Sequence, residues 1–298
     1  MIRISNPKYN LNISTSVALG TYDGLHKGHM EIINRLVGEG NFSKCVFTFS
    51  NSPALVATNV DVSYILSQQE KSDILCQSGV EYLVTCDFDK EIMSLSAEEF
   101  FEKYILSILG AKELFVGFNY TFGRNKSGNT QVLKELCENH NIKLSVIPPV
   151  YVGDEPVSSS RIRGEISLGN LDEARELLGR PVTICGRVCE GNKIGRTLDF
   201  PTVNIPVDNG RALPPDGVYK TKTVINEIEY KAIANLGARP TVSDKGERLF
   251  EGHIIGFSGN LYDEYLTFEF ISKIRDIRKF SSVEELKNQL RMDIEEAK

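Results

Sequence analysis

A change of rhythm near Pro181 limits what this chain can fold into more than any other feature. Before it, short apolar runs alternate with helical patterns; after it, strand-like runs follow one another with only turns between them. The early apolar runs cover residues 16–20, 44–49, 82–86, 113–117 and 143–147. They are short and almost continuously apolar, as strands covered on both faces of a parallel sheet are. Two of the intervening helices are announced by capping boxes, Ser67-Gln68-Gln69-Glu70 and Ser96-Ala97-Glu98-Glu99. In each, a serine stands at the cap and a glutamate three residues on. A further helical pattern covers residues 131–139. Repetition of this kind predicts an α/β domain built on an open, doubly wound parallel sheet.

Two short helical segments, about 159–168 and 171–178, lead into the second part. Strand patterns then occupy roughly 183–188, 202–206, 218–224, 229–234, 248–257 and 265–271. Gly- and Pro-rich turns such as Leu213-Pro214-Pro215-Asp216-Gly217 separate them. Six close-set strands punctuated in this way predict a small antiparallel β-barrel. A last helix, opened by Ser281 or Ser282, runs to the C-terminus. The expected domains are therefore 1–180 and 181–298, and 298 residues are ample for two cores.

Composition removes several classes of function. The net charge is −6, where a nucleic-acid binder would carry a basic surplus. No apolar run approaches the roughly 20 residues of a membrane helix, and MIRISNPKYN lacks the pattern of a secretory signal. The six cysteines are scattered, form no C-x-x-C pair and lie mostly in apolar runs. Buried thiols in a reducing cytoplasm are expected, rather than zinc or redox motifs.

The stretch Gly20-Thr21-Tyr22-Asp23-Gly24-Leu25-His26-Lys27-Gly28-His29 holds two of the chain's four histidines. It falls where the first apolar run gives way to the first helix. Ligands of open α/β sheets bind there, beyond the C-terminal ends of the strands. A helix N-terminus offers bare N–H groups and a partial positive charge, both suited to phosphate. Gly20, Gly24 and Gly28 let backbone approach a ligand. His26 and His29, spaced i and i+3, share a side of the first turn and could stabilise a phosphate during displacement. A plain β-α turn with a histidine cap is the bland alternative. Neither the P-loop nor the G-x-G-x-x-G pattern is present here.

His26-Lys27-Gly28-His29 matches H-x-G-H, and with the residues before it resembles G-x-F-D-G-x-H-x-G-H of the prokaryotic riboflavin kinase/FAD synthetase family. Tyr22 stands where that family usually has Phe. Ser158-Ser159-Ser160-Arg161-Ile162-Arg163 is similar to the family's S-S-T-R-I-R, with Ser160 keeping the hydroxyl. A serine cluster at a helix start followed by arginine is also a phosphate site in its own right. Val116-Gly117-Phe118-Asn119-Tyr120-Thr121-Phe122-Gly123-Arg124 resembles a flavin-receiving strand end; by itself it reads equally as a turn with packed aromatics. The resemblance implies a nucleotidylyltransferase fold that converts FMN and ATP to FAD and pyrophosphate, with Mg²⁺ on the phosphates. In it His26 and His29 stabilise the α-phosphate and the leaving group. Ser159 and Arg163 hold ATP phosphates. Gly20 and Gly28 line the ligand, Asn119 reads a polar flavin edge, and Asp23 orients either the loop or the metal.

The second part carries Gly191-Asn192-Lys193-Ile194-Gly195-Arg196, then Thr197-Leu198-Asp199-Phe200-Pro201-Thr202-Val203-Asn204. The Gly/Lys/Arg loop could accept phosphates. Thr202 and Asn204 alternate in a strand, so both would face one way and could ligate Mg²⁺. A basic hairpin beside an edge strand is the alternative. These residues are similar to the riboflavin kinase motif G-R-x-L-G-F-P-T-A-N, and the agreement extends to 214–219 and 235–241. By resemblance, Lys193, Arg196 and Arg239 bind the ligands. Glu251, in a segment like E-x-H-x-x-D-F, is the general base for phosphorylation of riboflavin. Asp199, Val203, Gly256 and Ile277 depart from the family pattern, and Asp199 puts a negative charge beside a polyphosphate site. Three rivals therefore stand beside the bifunctional enzyme. They are an FAD synthetase with a barrel that only binds flavin, a flavin-binding regulator, and another H-x-G-H adenylyltransferase. The expected partners are ATP and flavins, with neither nucleic acid nor membrane and no oligomeric state specified.

Overall fold

The computed structural model describes residues 1–58, 62–190, 200–208, 210–238 and 248–297. The chain divides into two units, Met1–Ser159 and Ser160–Lys298.

The first unit is a six-stranded, wholly parallel sheet. Its strands are β1 (Ile2–Ser5), β2 (Thr15–Leu19), β3 (Ser43–Phe49), β4 (Tyr82–Cys86), β5 (Ala111–Gly117) and β6 (Lys143–Ile147). They lie in the order β1-β4-β3-β2-β5-β6. Chain order thus runs outward one way from β2 and the other way from β5. The β2/β5 pair is therefore the topological switch point, where a crevice opens beyond the strand ends. β1, absent from the sequence expectation, pairs only with β4 at the sheet's edge. Its sequence Ile-Arg-Ile-Ser alternates and Ile2 is 55% exposed, so it never forms an apolar run.

Helices α1 (Lys27–Glu39), α2 (Pro53–Thr58), α3 (Gln68–Gln77), α4 (Lys90–Ser94), α5 (Ala97–Phe100) and α6 (Thr130–Asn139) punctuate the strands. Both capping boxes form: Ser67 and Ser96 accept from the Glu70 and Glu99 amides at 3.2 and 3.1 Å. Each glutamate returns a carboxylate to its serine's amide, at 2.9 and 2.7 Å. A π-helical segment, Phe101–Ile108, follows α5 and buries Phe101, Tyr104, Ile105 and Ile108. These residues meet Val17, Leu19, Phe47, Val84, Leu114 and Val116 of the central strands in the main core. A short hairpin, β7 (Tyr151–Val152) with β8 (Glu155–Pro156), ends the unit.

The second unit begins with α7 (Ser159–Leu168), shared at its first residue with the first unit, and α8 (Leu171–Leu178). Its strands are β9 (Thr183–Arg187), β10 (Val203–Pro206), β11 (Gly217–Ile225), β12 (Ile228–Ala238), β13 (Arg248–Ile254) and β14 (Tyr265–Arg275). All pair antiparallel, in the order β10-β13-β12-β11-β14-β9. Among the described residues, one bridge between Cys189 and Asn204, with the Cys189 amide 2.9 Å from the Asn204 carbonyl, links the two ends of that order and brings the barrel close to closure. Inside stand Ile205, Tyr219, Phe250, Phe268 and Phe270, with Phe250 and Phe268 centroids 4.8 Å apart.

Helix α9 (Val283–Ala297) is capped by Ser282, whose hydroxyl accepts from the Glu285 amide at 3.2 Å. Asp293, 1% exposed on α9, takes the Arg275 guanidinium in three hydrogen bonds, from Nε to both carboxylate oxygens at 3.0 and 3.2 Å and from Nη2 at 2.7 Å. All six cysteines are free. Cys45, Cys86 and Cys137 are buried as expected, but Cys76 is exposed, because it lies on the outer face of α3. Among the described residues, no helix is long and apolar enough to cross a membrane.

Replacing Asp293 with Ala leaves Arg275 with its partner gone in a mostly buried position. Equilibrium denaturation should show a loss of about 3 kcal/mol.

Candidate active sites

The histidine loop and the aromatic segment after β5 both lie at the switch point. The loop 20–26 leaves the C-terminal end of β2, and Gly117-Phe118-Asn119-Tyr120 leaves the C-terminal end of its neighbour β5. His26 is the N-cap of α1, and its Nδ1 accepts from the His29 amide at 3.3 Å. The two imidazoles stack with centroids 3.7 Å apart and planes 16° from parallel. Tyr22 meets His29 edge-on at 5.3 Å. The cap and the paired imidazoles are thus one arrangement, not alternatives.

The path to this cap is strained. Tyr22, Gly24 and Leu25 have φ of 49°, 84° and 40°, in the left-handed region that non-glycine residues avoid. Tyr22 and Leu25 are both fully buried, and their burial offsets that strain. The glycines act differently from expectation. A Cβ on Gly20 would lie 2.9 Å from the Tyr22 ring, and one on Gly28 would lie 3.2 Å from the His26 ring. Gly20 and Gly28 make room for the motif's own aromatic rings.

Neighbouring elements hold the loop. Asp23 Oδ1 accepts from the Ile65 amide at 2.8 Å, so Asp23 orients the loop. The Asp23 carbonyl accepts from the Ser159 hydroxyl at 2.8 Å, which joins the second motif to the first. The Thr21 carbonyl accepts from the Thr48 hydroxyl at 2.9 Å and from Lys71 Nζ at 3.0 Å. Sequence reasoning misses Lys71. Its one signal is a lysine four residues before Leu75, on the stripe of α3 that turns inward. Burial pulls its pKa down to about 8, against the opposing pull of the Asp23 charge. Arg163 lies one turn along α7, 3.2 Å from the Ser160 hydroxyl. Asn119 is exposed in a tight turn closed by the Tyr120 amide on the Gly117 carbonyl at 3.0 Å. Tyr120 and Phe122 stack at 5.7 Å against the core, so those aromatics are packing residues.

On the barrel, register builds a second row. Asn204 pairs with Glu251, and Glu251 pairs with Asn235. Directly opposed residues of antiparallel strands point to one face. The three side chains therefore line up on the outer face, opposite buried Phe250. Thr202 lies one residue before β10 and is exposed, while Asn204 is 5% exposed. Strand pairing therefore covers Asn204 and begins just after Thr202. The preceding carbonyl, of Pro201, lies 2.9 Å from His253 Nδ1, and Phe200 meets the same ring. Lys193, Arg196, Asp199 and Arg239 lie outside the described residues. Gly256 has φ of 76° in an exposed turn after β13, where the left-handed path favours glycine. Ile277 packs over Gly237 of β12.

Amide and carboxylate oxygens in one row suit a hard cation such as Mg²⁺. Among the described residues, no three His, Cys, Asp or Glu side chains gather as a metal cage. A cation held jointly by a few protein oxygens and nucleotide phosphates needs none.

Comparison with known proteins decides between the families such sites could serve. Residues 9–161 match the FAD synthetase family model and residues 178–298 the riboflavin kinase model. A Pseudomonas fluorescens bifunctional riboflavin kinase/FMN adenylyltransferase is 32% identical over 94% of this chain and 91% of its own length. The chain belongs to the bifunctional riboflavin kinase/FMN adenylyltransferase family. The Bacillus subtilis member of that name is 29% identical across 99% of this chain. A crystal structure titled as a macrolide-efflux protein from Streptococcus pneumoniae superposes with a TM-score of 0.85. It is 36% identical and covers 99% of this chain and 98% of its own. The two-part fold is thus a bifunctional family's fold, and both of its enzymatic domains are present.

The buried Tyr22 hydroxyl has no hydrogen-bond partner among the described residues, and burial raises its pKa well above the usual phenol value. Tyr22→Phe should stabilise the first unit by about 1 kcal/mol in a denaturation midpoint. The Lys71 pKa in the fold lies below its ordinary 10.5, so the folded state binds that proton less tightly than the unfolded one. The penalty on folding holds below about pH 8 and fades as pH climbs to 10.5. The stability advantage of Lys71→Met over the parent should shrink across that interval in pH-dependent melts.

Proposed function

We propose that this protein makes FAD from riboflavin in two ATP-dependent steps, one per domain. The stacked His26 and His29 at the β2/β5 switch point carry this reading for the first unit. A phosphate oxygen of FMN attacks the α-phosphorus of ATP, the bond from that phosphorus to the bridging oxygen breaks, and pyrophosphate leaves. His26 and His29 stabilise charge on the α-phosphate and the leaving group. Ser159, Arg163 and the amides at the start of α1 hold the remaining oxygens. Asn119 meets the flavin edge, while Asp23 acts by orienting the loop.

On the barrel, Glu251 takes the proton of the riboflavin 5′-hydroxyl as that oxygen attacks the γ-phosphorus of ATP and ADP leaves. Asn204 and Thr202 would hold Mg²⁺ there. Bound Mg²⁺ neutralises charge on the phosphates. Lys193, Arg196 and Arg239 serve ligand binding. Two departures from the family pattern have local structural reasons, the left-handed turn at Gly256 and the contact of Ile277 with Gly237, which favours an active kinase. The riboflavin kinase match opening at residue 178 supports a functional boundary near 180.

Chromatography of reactions started separately from FMN and from riboflavin tests both halves. Wild type should yield FAD from either. His29→Ala should cut FAD formation from FMN by about 100-fold or more while still making FMN from riboflavin. Glu251→Gln should do the converse, with FMN formation down by at least about 100-fold. Absence of FAD from FMN, ATP and Mg²⁺ with wild type would sink the reading.

A further inference from the structure

Lys71 is almost wholly enclosed, 4% exposed, with its ammonium at the base of the loop that carries the two histidines. Removing a cation from water is costly unless a carboxylate pairs with it. Among the described residues, Lys71 makes no ion pair. Its contact is the neutral Thr21 carbonyl at 3.0 Å, with the Asp23 charge acting from further away. Glu70, adjacent on α3, has its carboxylate turned back onto the Ser67 amide and hydroxyl, at 2.9 and 2.8 Å. The Thr21 carbonyl already has a neutral donor in Thr48, whose side chain is fully buried. For stability alone, a methionine at 71 would fill the same space without a charge to desolvate.

The expensive group sits where the backbone is least relaxed. Thr21 directly precedes Tyr22, the first left-handed residue, and Ile65, three residues before α3, both bonds Asp23 and packs at Gly24. The start of α3 thus grips the loop at Thr21, Asp23 and Gly24, on the stretch that sets where His26 begins α1.

We infer that Lys71 is a positioning residue for adenylyl transfer, its ammonium fixing the Thr21–Leu25 path so that His26 and His29 face the reacting phosphates. This rests on the adenylyltransferase reading of the first unit. The charge is retained for the geometry of the loop, at a cost to the fold.

The test compares full-length wild type, Lys71→Met and Lys71→Arg. Each is assayed for FAD from FMN, for FMN from riboflavin as an internal control in the barrel, and for melting temperature. Lys71→Met should lower kcat for FAD formation at least tenfold, leave KM for FMN and ATP within about threefold, leave FMN formation unchanged and melt no lower than wild type. Lys71→Arg, which keeps charge and donors, should recover part of the lost kcat. Thr48→Val, which removes the other donor to the same carbonyl, should lower kcat in the same direction. Lys71→Met retaining FAD synthesis within twofold of wild type overturns the inference. So does a fall in melting temperature with loss of both activities, which marks a plain structural residue. Wild type without FAD formation is a separate result and removes the adenylyltransferase reading itself.

Discussion

Complete burial of Tyr22 and Leu25 holds a backbone path that neither residue would adopt in water. Left-handed φ costs each of them on the order of 1 kcal/mol, and the apolar surface they hide returns more than that. The start of the first long helix depends on this trade. The path ends at His26, whose ring caps α1 and stacks on His29. Gly20 and Gly28 keep clear the space the rings need. Anchors from four places, at Thr48, Ile65, Lys71 and Ser159, reach the Thr21 carbonyl and the carbonyl and carboxylate of Asp23. The start of α1 and its paired imidazoles are assembled here from strain that the surrounding core confines.

The barrel solves its problem by register. A parallel sheet gathers ligands at strand ends, because its loops converge there. An antiparallel barrel has no such end and places its polar groups by pairing them across strands. Asn204, Glu251 and Asn235 come from three different strands, β10, β13 and β12, yet share one row. A slip of β13 by one residue would turn Glu251 inward and Phe250 out, breaking the row and the core together.

Much of this is legible in the chain. The parallel strands, both capping boxes, the change to antiparallel strands and the last helix all announce themselves through periodicity and local hydrogen-bonding chemistry. β1 does not, because an edge strand with one face in solvent carries no apolar run. The placement of Asn119 beside the histidine loop emerges only with β5 next to β2, since strand order is a tertiary fact. Spacing alone makes the glycines openings for a ligand, whereas Gly20 and Gly28 accommodate rings from the same motif. Lys71 is invisible for a related reason. A lysine in a helix is ordinarily solvated, and nothing local reveals that a carbonyl from fifty residues earlier lies above it.

Asn204 has two duties that ordinarily fall to different residues. Its carbonyl receives the bond that joins the first and last strands of the barrel, and its side chain stands in the row with Glu251. Closure and row therefore meet at one residue. Fraying of β10 from β13 takes the Asn204 side chain out of the row and its carbonyl out of the seam together, so one local opening costs both. A change that loosens β10 therefore acts on barrel closure and on the polar row at once.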